Sequence, residues 1–221
     1  MQTNTADRWE RLAPLSGILF SLLLASLFFL FPEEEVMNLS AEELTSLYQD
    51  RGEVNASTQY LVVGLAAIAL IWFGGSLRAY LDRSEGGPGR LSGIVFGAAV
   101  AGAVLLAAAN AAFLGAPATA VFSERADLLI DPVVDEIAGS IGYLSFSYGL
   151  MAIGAMFGAT ALAGLRTRSL PAWFSWISLL VAVALVVNVF YFLGIFVLMA
   201  WMIVAAIVLM MRLRSTAPTS P

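Results

Sequence analysis

From Leu170 to Met211 the chain runs 42 residues without a charge, and no other feature limits its fold as strongly. As one helix this stretch would be about 63 Å long at 1.5 Å per residue, roughly twice the ~30 Å hydrocarbon core of a bilayer. It is therefore expected to fold as two membrane spans. The break is expected around Asn188 to Gly194, where an amide, clustered aromatics and a glycine interrupt the Leu, Val and Ala pattern.

Four further apolar blocks precede it, at 12–31, 58–81, 91–114 and 137–165. Each is near the ~20 residues that cover a hydrocarbon core. The first is too long for the ~7–15 apolar residues of a secretion signal and ends in Phe28-Phe29-Leu30-Phe31-Pro32 without a small-residue cleavage site, so it reads as a span. The sequence thus predicts an all-α integral membrane bundle. It has one domain over 1–221 and six transmembrane helices at about 12–31, 58–81, 91–114, 137–165, 170–188 and 194–211. Composition agrees, with 60% hydrophobic and only 12% charged residues.

Arginine sets the expected orientation, because cytoplasmic loops retain positive charge. With both ends inside, nine of the eleven arginines fall on the cytoplasmic side, and only Arg51 and Arg125 fall outside. Twelve of the sixteen acids fall outside, in the loops 32–57 and 115–131 and the turn that follows. Such loops attract cations and also oppose mis-insertion. The expected location is the plasma membrane, with a multi-pass chain.

Two local signals place helix starts on the external side. Ser40-Ala41-Glu42-Glu43 fits a capping box, Leu44, Leu47 and Tyr48 share one face, and Gly52 can close the end, which predicts a short external amphipathic helix. Asp131-Pro132 resembles a second start, with proline at the first helical position and Asp135 and Glu136 in the first turn. Trp9, Tyr80, Trp173 and Trp176 are expected at the inner interface, and Phe31, Tyr60 and Tyr191 at the outer. Close helix contacts are expected along Gly93, Gly97 and Ala101 on the third span and along Gly154 and Gly158 on the fourth. The matched hexapeptides Leu15–Phe20 and Leu91–Phe96 also suggest a parallel repeat of helical hairpins.

Cysteine, histidine and lysine are all absent. Their absence removes thiolate and imidazole chemistry, the usual zinc ligands and Schiff-base attachment of a cofactor. No carboxylate falls at mid-membrane depth, where an ionisable residue would mark a transport path. No catalytic residue, metal ligand or cofactor is expected. The polar content of the spans is uneven: the inner halves offer only scattered Ser and Thr, and Asn110, Tyr143, Ser145, Ser147, Tyr148 and Asn188 all fall in the outer half. They are read first as interhelical hydrogen bonding or interface placement, and alternatively as an outward-facing polar pocket roofed by the acidic loop helix.

The stretch Arg166-Thr167-Arg168-Ser169-Leu170-Pro171-Ala172-Trp173-Phe174-Ser175-Trp176, followed by a hairpin with Trp201 and a closing Arg212, resembles the C-terminal third of a family of uncharacterised multi-pass bacterial membrane proteins, found mainly in actinobacteria. The Ser84-Glu85-Gly86-Gly87-Pro88-Gly89-Arg90 loop is similar to the same group. The likeness covers topology along the chain but specific residues only in these two segments. It implies a bundle and carries over no activity or site residue.

The expected function is non-catalytic, in an accessory, sensory or structural role. The alternative is a transporter or channel for a small neutral or cationic solute. The bilayer is the expected partner, with another membrane protein or a second copy of the chain as further candidates; nucleic acid is not.

Overall fold

The computed structural model of the chain describes residues 12–30, 39–123, 128–187 and 191–215. Among these residues the chain is all-helical: α1 (Leu15–Leu30), α2 (Ala41–Glu85), α3 (Arg90–Phe122), α4 (Pro132–Thr167), α5 (Ala172–Val187) and α6 (Tyr191–Ser215). Each helix packs against the next in chain order, α1 also lies against α6, and α2 touches α4, so the described helices close into a ring.

Among the described residues four segments are long and apolar enough to cross a membrane: Asn55–Glu85, Arg90–Phe122, Pro132–Thr167 and Gly194–Leu213. The other two apolar helices, α1 and α5, have 16 residues each, about 24 Å at 1.5 Å per residue. The long uncharged stretch does form two helices, the first ending at Val187 and the second beginning at Tyr191. The two lie side by side, with Phe174 stacked on Trp201 at 5.1 Å and the Trp201 indole N–H donating to Ser178 Oγ at 3.0 Å.

The core is apolar and closely filled. Phe20, Phe73, Phe157, Leu70, Ile153, Met156 and Leu198 are completely buried in one continuous cluster. The ring is closed by a hydrogen bond as well as by packing, since Ser21 Oγ on α1 donates to the Met199 carbonyl on α6 at 3.0 Å. Thr160 is likewise buried and satisfied within its own helix, at the Met156 carbonyl.

Close approach of backbones is where expectation and structure part. Gly154 does lie against α5: a methyl group there would sit 3.0 Å from the Ala182 carbonyl. On α3 the packing line is different. Gly93 and Gly97 face open space and Ala101 is exposed, whereas Gly102 meets Ile153 of α4 and Ala99 meets Gly74 of α2. One residue turns a helix by about 100°, so a small-residue pattern read without the neighbours selected the wrong face. The two matched hexapeptides also sit differently: Gly17 is pressed against Phe73, while Gly93 is not in contact.

At one end of the ring the 41–51 segment forms a cap. Ser40 accepts the Glu43 backbone N–H at 3.3 Å and Glu43 accepts the Ser40 N–H at 2.9 Å, completing the capping box. Gly52, at φ 73° and ψ 168°, breaks the helix direction in a backbone region open to glycine alone. The cap buries Leu44 and Tyr48 against Ala116 and Ile130. Thr45 Oγ1 accepts the Ile130 N–H at 2.8 Å, and Tyr48 donates to the Asp135 carboxylate at 3.0 Å. Asp131 caps α4 through the Val133 N–H with Pro132 beside it, as its sequence predicts.

The opposite end carries the α2–α3 turn. Gly86 and Gly89 both adopt left-handed backbone there. Asp82 and Glu85 of α2 accept the hydroxyl and backbone N–H of Ser92, supplying the start of α3 with the carboxylates that a helix N-terminus favours.

Candidate functional site: a cleft between α2 and α3

Below the cap, a cleft of about 380 Å³ lies between α2 and α3. Its walls are small residues and a few larger ones, chiefly Ala56, Tyr60 and Gly64 from α2 and Ala107, Asn110 and Phe122 from α3. The cause is local. A methyl group added at Gly64 or at Gly115 would meet nothing within 4 Å, so these turns lack the side chains that would fill the gap. The volume falls within the ~300–1,000 Å³ of small-ligand sites.

Asn110 is the polar group that gives the cleft a direction. It is 8% exposed, and its carbonyl accepts the Gln59 amide N–H at 3.3 Å. Asn110 lines the cleft, and its NH₂ group has no hydrogen-bond partner among the described residues. Exchanging the amide's two ends leaves the same result, one end on Gln59 and the other without a partner among the described residues. Such a group costs free energy unless water or a ligand satisfies it. Among the described residues the wall carries no charged side chain, and the ligand complementary to them is neutral, largely apolar and equipped with an acceptor oxygen.

The expected polar residues do not converge on one site. Asn110 turns toward α2 because it lies eleven residues, three helical turns, beyond Ala99, the residue set against Gly74. Tyr143 and Tyr148 are 46% and 56% exposed on α4, and Ser147 is half-buried there. No α4 residue lines the cleft. Asn188 lies outside the described residues. Gln59 was not singled out in the sequence; its one signal is a position at the polar edge of the second apolar block.

The cap stands beside this cleft, packing on Ala116 in the same turn of α3 that carries Gly115. Its Glu43 carboxyl is held below the usual carboxylate range, chiefly by accepting the Ser40 backbone N–H and then by the Ser40 hydroxyl. Among the described residues no three acidic side chains gather as metal ligands would.

No protein-family model, curated protein or solved structure matches the chain.

Proposed function

We propose that this is a non-catalytic multi-pass protein of the plasma membrane, with six spans and both ends inside, that recognises a small neutral amphiphile in the α2–α3 cleft. The reading is sensory or accessory. The observation that carries it is Asn110, a nine-tenths-buried residue of the cleft wall whose amide is bonded to Gln59 through one end only among the described residues. The distribution of arginines supports the orientation and makes the cap external. The resemblance of the Arg166–Trp176 segment to actinobacterial multi-pass proteins supports a bacterial setting. Binding is favoured over passage because the bundle interior is filled by completely buried apolar side chains such as Phe73, Met156 and Phe157.

The test is a thermal-unfolding comparison of the purified chain with long-chain alcohols and monoacylglycerols against alkanes of equal length. A ligand at one hundred times its Kd stabilises by about 2.7 kcal/mol. The expected result is a raised Tm with the oxygen-bearing amphiphiles, lost in Asn110→Leu and in the cleft-filling Gly64→Leu. Equal responses in wild type and Asn110→Leu would remove the cleft from consideration. Solute flux through reconstituted vesicles at a rate abolished by the same substitutions would favour the transporter reading instead.

A further inference from the structure

A second recess lies at the arginine-bearing end, where the start of α1, the last turns of α2 and the end of α6 meet. It has a volume of about 290 Å³ and runs along one face of α2 through Trp72, Gly75, Ala79 and Arg83, with Ala13 and Leu213 closing its sides. Eleven residues separate Trp72 from Arg83, so the recess is about 16 Å long at 1.5 Å per residue. That length matches the roughly 15 Å of hydrocarbon in one leaflet.

Chemistry is graded along this slot. Trp72, about half exposed, forms the deep apolar end. Tyr80 lies at the mouth, its ring held by a hydrogen bond from its hydroxyl to the Ser169 carbonyl at 2.7 Å. Arg83 is exposed at the same mouth. Asp82 and Glu85, which share this end of α2, direct their carboxylates to Ser92 at the start of α3. Among the described residues that line the slot, Arg83 is the one charged side chain.

We infer that this slot binds one anionic phospholipid, with the headgroup phosphate on Arg83 and an acyl chain laid along Ala79, Gly75 and Trp72. A guanidinium has five donors in a fork that suits phosphate, so Arg83 can hold a headgroup alongside its other contacts. Basic recesses between membrane helices on the cytoplasmic side are suited to such headgroups. The inference rests on the membrane reading and is independent of the α2–α3 cleft.

Native mass spectrometry of the full chain, released from detergent containing equal phosphatidylglycerol and phosphatidylcholine, reads the site directly. Wild type should retain one phosphatidylglycerol in preference to phosphatidylcholine. Arg83→Gln should reduce that retention about five-fold, whereas Arg83→Lys should keep most of it. Arg78→Gln, whose guanidinium instead sits 5.6 Å above the Phe96 ring, should retain the lipid as wild type does. Ala79→Phe should block the slot with Arg83 intact, and unchanged thermal unfolding in lipid-free detergent checks that each variant is folded. Equal retention by Arg83→Gln and Arg78→Gln, equal retention of the two lipids by wild type, or displacement by inorganic phosphate at the lipid's concentration would each overturn the proposal.

Discussion

Ser175 and Ser21 show how differently a buried hydroxyl can behave in the same bundle. Ser175 Oγ is fully buried beside Gly164 with no hydrogen-bond partner among the described residues. Ser21 Oγ is almost as buried but bridges the Gly17 and Met199 carbonyls, both at 3.0 Å. An unsatisfied buried polar group costs about 1–3 kcal/mol, whereas a net hydrogen bond contributes about 0.5–1.5 kcal/mol. Ser175→Ala is therefore expected to hold or raise stability by about 1 kcal/mol, and Ser21→Ala to lower it by about as much. Thermal unfolding of the two variants in detergent checks the pair; destabilisation of Ser175→Ala by as much as Ser21→Ala would show that Ser175 has a partner.

The cap is the element whose stability can be set apart from the rest. Its backbone turns through Gly52 in a conformation that costs an L-residue about 1–3 kcal/mol, while its attachments, Thr45 to Ile130 and Tyr48 to Asp135, lie at one end of the ring. Gly52→Ala should thus raise amide exchange across 41–51 while exchange in Asn55–Glu85 stays as in wild type. Acid should loosen the same element. Because Glu43 has a lowered pKa in the folded chain, its contribution is present above the ordinary carboxylate pKa and is lost as pH falls through the lowered one. Exchange within 41–51 should therefore rise on acidification below that ordinary value, and Glu43→Gln should flatten the dependence. A cap that exchanges no faster in Gly52→Ala would refute the docking by these contacts.

For the whole molecule, orientation is the first property to test, and the cysteine-free chain makes it direct. Ser46 is exposed on the cap and Ser84 lies near the opposite turn. An impermeant thiol reagent applied to intact cells should label a cysteine introduced at Ser46 and leave one at Ser84 untouched; the reverse pattern would invert the proposed topology. The same orientation would place the α2–α3 cleft toward the outer leaflet and the Arg83 recess toward the inner.

What could be read directly from the chain was either local or a matter of length. Ser40 with Glu43, Asp131 with Pro132, the turn at Gly52 and the division of the 170–211 stretch all follow from contacts within a few residues or from the ratio of helix length to bilayer thickness. The partner of Asn110, the face that α3 presents to α4 and the closure of α1 on α6 do not. Gln59 is 51 residues from Asn110, and Met199 is 178 from Ser21. In a soluble helix a polar face reveals the rotation about the helix axis. Here lipid outside and core inside are both apolar, so Gly93 with Gly97 looks as fit for packing as Gly102. Only the neighbouring helices choose between them, which is why tertiary structure alone fixed the cleft and the side of α3 on which Asn110 lies.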